Sequence, residues 1–262
     1  MRIISATERL AEQSGAKILI VGPTGVGKTS LMKTLSDEML TLTALIDIEA
    51  GTLALGDLPI TTARPRTWSD CCDIAAVVGG PNPALPATSF YSEAHFNSVM
   101  ATDTARLADF EIVFVDSLTE AARLSFTHAE QQPEAVSDRG KKDLRSVYGL
   151  HARQMTGWLR QLQQGRSRHV VLVAILEKIV DEFNRAQFEI QMEGSKTSRE
   201  LPGIVDEVLC MNWVDFGDGK LARAFVCTSP NPWGWPAKDR SGRLEQIEKP
   251  HLGEMISKLT SK

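Results

Sequence analysis

Eight residues constrain the fold more than any other part of the chain: Gly22-Pro23-Thr24-Gly25-Val26-Gly27-Lys28-Thr29. They satisfy the pattern G-x-x-x-x-G-K-[ST] at every fixed position, and each residue type has a physical job. The glycines let the backbone curl so that successive N–H groups point inward at phosphate oxygens. Lys28 brings a cation to the β- and γ-phosphates, and the Thr29 hydroxyl can ligate Mg²⁺. The apolar run Ile18–Val21 precedes the loop. The stretch Ser30–Leu40 follows it, with Leu31, Leu35 and Met39 on one face, and predicts a helix. Such a helix start adds its positive dipole end to the site. Gly22, Pro23, Thr24, Gly25, Val26, Gly27, Lys28, Thr29 and Ser30 are therefore the expected phosphate site, with ATP and Mg²⁺ as its ligands.

A loop of this kind needs a carboxylate at the end of an apolar strand to support the metal. Ile112-Val113-Phe114-Val115-Asp116 supplies it, and Asp116 can hold Mg²⁺ through water. Hydrolysis also needs a carboxylate that orients or deprotonates the attacking water. Ser117 follows Asp116, so no acid stands directly beside it. Leu45-Ile46-Asp47-Ile48-Glu49 offers Glu49 just past a short apolar strand, with Glu120 as the alternative base.

Composition excludes other classes. The 262 residues carry 29 Lys+Arg against 33 Asp+Glu, a net charge of −4, which rules out binding nucleic acid through bulk positive charge. No run approaches a membrane span or a signal peptide. The four cysteines lack C-x-x-C spacing and the five histidines do not cluster, so a reduced, cytoplasmic protein without a zinc site is expected. Strands expected at Leu45–Ile48, Ile112–Val115, Val170–Leu176, Val205–Val214 and Ala222–Cys227 alternate with helices at Ser5–Gln13, Leu150–Leu162 and Gly253–Leu259. That order predicts an α/β fold with a mostly parallel twisted sheet and helices on both faces. Residues 1–15 read as a short lead and 16–262 as one domain.

Three segments resemble the RecA-like recombinase family: Asp47-Ile48-Glu49, Asp116-Ser117, and Tyr148-Gly149-Leu150-His151-Ala152-Arg153-Gln154-Met155. The resemblance covers residues 16–230. It implies a RecA-like P-loop NTPase core with Glu49 as the catalytic glutamate. Compact phage-type RecA-like ATPases, including single-strand annealing proteins, are the most similar group, through the D-x-E-x-G and V-D-S-L-T segments, Leu201-Pro202-Gly203-Ile204-Val205-Asp206 and the late Lys238-Asp239-Arg240-Ser241-Gly242. One departure is at the end of the fourth core strand, where Ile175-Leu176 runs into Glu177 instead of a polar Gln sensor.

Lys238-Asp239-Arg240-Ser241-Gly242 is similar to the K-x-R-x-G segment of RecA-fold hexameric helicases. The resemblance implies that Lys238 and Arg240 act on a neighbouring subunit's nucleotide, in a head-to-tail homo-oligomer, ring or filament. The RecA-like resemblance also implies two DNA loops. The first lies near Thr127–Tyr148, with Arg139, Lys141, Lys142 and Arg145. The second lies near Glu177–Gly203, with Arg185, Lys196, Arg199 and the ring of Phe188. The second loop is net acidic and reads equally as a solvated lid. Trp233 and Trp235, in a Pro/Gly context, read as packing rather than base stacking. The expected function is an ATP-hydrolysing protein that binds single-stranded DNA in recombination or annealing. A helicase-like motor and a nucleotide-switched module that loads a protein partner are the alternatives.

Overall fold

The computed structural model describes residues 3–136, 140–180, 182, 184, 186–217 and 219–261. The described strands are β1 (Lys17–Gly22), β2 (Thr43–Asp47), β3 (Thr61–Ala63), β4 (Ile112–Asp116), β5 (His169–Val180), β6 (Ala186–Ile190), β7 (Glu207–Asp215), β8 (Leu221–Val226), β9 (Lys238–Asp239) and β10 (Ile247–Glu248). They form one sheet in the order β10-β8-β7-β1-β5-β4-β2-β3, with β6 on β5 and β9 on β7. The six strands from β7 to β3 run parallel. β8, β9, β10 and β6 pair antiparallel, so the sheet is mixed at its margins.

β1, β2 and β4 are buried along their whole lengths, as their continuous apolar runs require of strands covered on both faces. Alternate residues serve opposite layers: Leu19 and Val21 join one core, Ile18 and Ile20 the other. The first core lies under α3 (Trp68–Gly79), α5 (Leu118–Glu130), α6 (Leu144–Gln164) and α7 (Ser195–Ile204). The second lies under α8 (Leu252–Thr260) and the turns that follow β1. This is the expected RecA-like α/β arrangement. α1 (Ala6–Ala11) in the N-terminal lead is held by a Ser5/Glu8 capping box and buries no residue.

The segment after the phosphate loop departs from the expected single helix over 30–40. A 3-10 turn spans Thr29–Thr34, Leu35 is extended, and the short α2 (Asp37–Thr41) starts afresh. Hydroxyl side chains compete with the helical backbone here. Thr34 Oγ1 donates to the Leu31 carbonyl at 2.6 Å and accepts from the Leu252 amide at 2.8 Å. Ser36 Oγ caps α2 by accepting from the Met39 amide. Leu31, Met32 and Leu35 stay buried, so the break keeps the apolar face. With so short a helical run, the loop's own amides carry most of the local dipole.

Both expected DNA loops are also shorter than the sequence implied. α5 continues to Glu130 and α6 begins at Leu144, which leaves residues 131–143 between them. β5 runs on to Val180 and returns as β6, so most of 177–190 is a hairpin, and α7 occupies Ser195–Ile204. α3, α4 (Glu93–Met100) and edge strand β3 fill a region that periodicity left unassigned.

Candidate functional site

The site is assembled at the ends of three parallel strands. β1 ends at Gly22 and opens the phosphate loop, β2 ends at Asp47 two residues before Glu49, and β4 ends at Asp116. Asp47 and Asp116 are register partners across β2 and β4. The Asp116 carbonyl accepts from the amides of Ile48 (2.7 Å) and Glu49 (3.2 Å), which ties the β2 exit to the β4 end.

Gly25 and Gly27 have φ of +78° and +99°, the left-handed region where an L side chain is strained, so the curl of the loop depends on them. Lys28 Nζ donates to the carbonyls of Gly22 and Pro23, each at 3.0 Å. Burial lowers its pKa, against the opposing pull of Asp116 and Glu49. Thr29 Oγ1 donates to Asp116 Oδ2 at 2.6 Å. Ser117 Oγ donates to Glu49 Oε1 and caps α5 by accepting from the Glu120 amide. The Asp116–Ser117 peptide is cis. Glu120 pairs outward with Arg123 and makes no described contact with Thr29, Asp116 or Glu49.

The fit to a metal can be tested on the donor set. A hydroxyl and carboxylates are the hard oxygen ligands that Mg²⁺ takes. Burial pushes the Asp116 carboxyl up to about 6, outweighing the Thr29 hydrogen bond and the Lys28 cation, and Glu49 and Asp47 add repulsion in the same direction as burial. Asp47 Oδ1 accepts from the Gly51 amide, while the buried Asp47 Oδ2 has no hydrogen-bond partner. Arg64 Nε stands 3.8 Å from it, beyond hydrogen-bond reach. The cluster thus carries excess negative charge that a divalent cation would offset, and its residues fit Mg²⁺.

A pH consequence follows for the metal-free chain. An Asp116 that titrates near 3.8 unfolded and about 6 folded binds more protons in the folded state between those values. Its contribution to stability is present at acid pH and is lost as pH rises through about 6. Asp116→Asn removes that loss, so the variant gains stability relative to wild type between about pH 4 and pH 7. Thermal melts in EDTA across that range measure it, and a pH-independent difference would contradict the assignment.

Lys238 and Arg240 lie far from this cluster. β9 pairs with the start of β7, and Glu207 is in register with both Asp239 and Ile18, near the beginning of β1. Lys238 Nζ donates to the Pro202 and Val205 carbonyls, both at 2.7 Å, and Arg240 pairs with Asp206 at 2.7 Å. Of the nucleic-acid candidates, Arg139 and Arg185 lie outside the described residues, and so does the side chain of Lys196. Lys142 pairs with Glu130, Arg145 is in the first turn of α6, and Arg199 is exposed on α7. The exposed Lys141 stands just before Lys142. A cavity of about 490 Å³ between α6 and α7 lies near both segments, lined by Tyr148, His151, Arg153, Glu193 and Thr197. Trp233 and Trp235 stack at 5.0 Å and pack on the core, and Phe188 meets Trp235 edge-on.

Two contributors were not anticipated. Thr119 Oγ1 accepts from the Ile175 amide, which fastens α5 to the strand between β1 and β4. Arg223 on β8 stands beside Gly27 and donates to the Val26 carbonyl at 3.4 Å. Its signal in sequence is a lone cation within the apolar run Ala222–Cys227.

Three solved structures are similar in fold. One is a prototypical ATPase from the type III secretion system of pathogenic bacteria, with 15% identity, TM-score 0.41, and 76% of this chain and 52% of that chain covered. This chain thus spans about half the length of that ATPase. The RadB recombinase has 13% identity and TM-score 0.37, with 90% and 91% covered. The flagellar accessory protein FlaH from Methanocaldococcus jannaschii has 10% identity and TM-score 0.36, with 94% and 92% covered. A comparison with curated proteins gives no match. The family model for an AAA domain matches residues 14–241, nearly the whole chain, so the chain belongs to that family.

Proposed function

We propose that the chain binds Mg·ATP on residues 22–30, hydrolyses it with Glu49 as the base, and couples the cycle to single-stranded DNA. One observation carries the hydrolytic reading. The two contacts Thr29–Asp116 and Ser117–Glu49 converge from three strand ends beside Lys28. A phosphate-binding loop, a metal-side carboxylate and a positioned base are thereby neighbours.

In hydrolysis, water attacks the γ-phosphorus and the bond to the β–γ bridging oxygen breaks. Glu49 takes the water's proton, and Ser117 fixes the carboxylate that receives it. Lys28 exchanges two neutral carbonyl acceptors for phosphate oxygens, which gives stronger, charge-assisted hydrogen bonds. Asp116, once ionised, holds Thr29 and supports the metal. Mg²⁺, when bound, supplies a Lewis acid that offsets phosphate charge.

The DNA reading draws on Arg139, Lys141, Lys142, Arg145, Arg185, Lys196 and Arg199. The partly exposed Lys142–Glu130 pair contributes little to stability, so a DNA phosphate can displace it. Lys238 and Arg240 are remote from the chain's own phosphate loop, so a nucleotide they contact belongs to the next copy of a head-to-tail homo-oligomer. The test is ATP turnover with and without single-stranded DNA at two salt concentrations. Stimulation and DNA retention that fall with salt are expected. No stimulation and no retention at low salt removes the DNA part and leaves the ATPase. Light scattering with an ATP analogue tests assembly, and a strict monomer would remove the trans role of Lys238 and Arg240.

One observation favours a second reading, a nucleotide-switched module that loads a protein partner. The hairpin and its exit carry Glu177, Glu182, Glu189 and Glu193, an acidic run poorly suited to DNA. In that case turnover is slow and indifferent to DNA, and ATP-bound capture of the partner survives in Glu49→Gln.

A further inference from the structure

We infer that the β7–β8 hairpin is the nucleoside side of this site, with Trp213 stacking the base and Arg223 reaching the phosphate nearest the ribose. The inference rests on the phosphate loop binding a nucleoside triphosphate. Trp213 and Arg223 are direct cross-strand partners, and Met211 lies two residues before Trp213, so all three project from one face. Met211 is buried in the core layer beneath the phosphate loop, which identifies that face as the loop's own. The hairpin abuts the loop closely. A Cβ added at Gly22 would stand 2.3 Å from the Met211 carbonyl oxygen, and one at Gly27 would stand 2.5 Å from Arg223 Nη1.

Orientation is set by sheet order. Asp116 and Glu49, which mark the γ-phosphate end, belong to β4 and the exit of β2, on one side of β1. β7 and β8 lie on the other side. A triphosphate seated in the loop with its γ end toward Asp116 therefore directs its nucleoside toward the hairpin. There, Trp213 is 50% exposed, an unusual cost for so large a ring. The Arg223 guanidinium lies 5.9 Å from its centroid, a cation–π pair, and pairs with no carboxylate among the described residues. Between ring and loop, Arg223 has donors to spare beyond its contact with Val26. Stacking recognises any base by its π face, so the platform favours purines by area without separating ATP from GTP.

The test compares Mg·ATP, Mg·GTP and Mg·tripolyphosphate, which has phosphates and no nucleoside, on wild type, Trp213→Ala, Trp213→Phe and Lys28→Ala. Trp213→Ala is expected to weaken ATP and GTP alike, by roughly 5- to 150-fold, and to leave tripolyphosphate unchanged. Retained tripolyphosphate binding also reports a folded loop. Trp213→Phe restores most of the nucleotide affinity. Equal effects of Trp213→Ala on ATP and tripolyphosphate, or no effect on either, would overturn the nucleoside platform. Failure of the phosphate-loop reading looks different: Lys28→Ala would then bind all three as wild type does.

Discussion

Glu49→Gln is expected to lower ATP turnover by roughly 10²–10⁴-fold, the usual contribution of a positioned general base. Affinity for Mg·ATP should change little. The glutamine amide oxygen still accepts from Ser117 Oγ, so the side chain keeps its place while losing the ability to take a proton. The change also removes one negative charge beside Asp116, whose carboxyl Glu49 helps to raise to about 6, so Asp116 ionises more readily in the variant. Phosphate release measured beside a nucleotide titration separates the two effects. Ser117→Ala should fall between wild type and Glu49→Gln, because it frees the carboxylate without removing it. Full turnover in Glu49→Gln would remove Glu49 as the base. Glu120, tied to Arg123 on the outward side of α5, is the residue to replace next.

The legible parts of the molecule are those where one short segment suffices. The phosphate loop, Asp116 and Glu49 each lie at the end of an apolar run, and the sheet order brings those ends together. β1, β2 and β4 were readable because burial on both faces demands unbroken apolar stretches. α3 was not, because eight of its twelve residues are buried and no polar face marks a helical period. Its signal was the Thr67/Asp70 capping box, in which each side chain accepts from the other's backbone amide. The 3-10 break after Thr34 was hidden for a different reason. Leu31, Leu35 and Met39 keep helical spacing, while the competing hydroxyl bond of Thr34 involves Leu252, at the far end of the chain. Arg223 was invisible as a site residue because its neighbour Gly27 lies almost two hundred positions away, and only the register of β7 and β8 brings them together.

Lys28→Ala is expected to weaken Mg·ATP and Mg·tripolyphosphate by roughly 10²–10³-fold, since each charge-assisted bond to phosphate contributes about 1.5–3 kcal/mol and the ammonium can make more than one. Stability should respond much less, for a reason the site itself supplies. Burial lowers the Lys28 pKa, so the folded state tolerates the cation poorly and gains from its removal. Opposing that, Lys28 is the cation that acts on Asp116 against Glu49 and Asp47. Without it the Asp116 carboxyl rises above its present value of about 6, and the pH range over which the metal-free chain loses stability extends further upward from its unchanged lower limit. Two measurements on one variant therefore test two claims. Nucleotide titration asks whether the loop holds phosphate, and wild-type affinity in Lys28→Ala would exclude it. Thermal melts in EDTA ask whether Lys28 and Asp116 are electrostatically coupled, and an unmoved pH dependence would separate them. Lys28→Arg sharpens the first: it keeps the charge, but the planar fork does not match the two carbonyls that a tetrahedral ammonium now bridges, so its affinity should lie between wild type and Lys28→Ala.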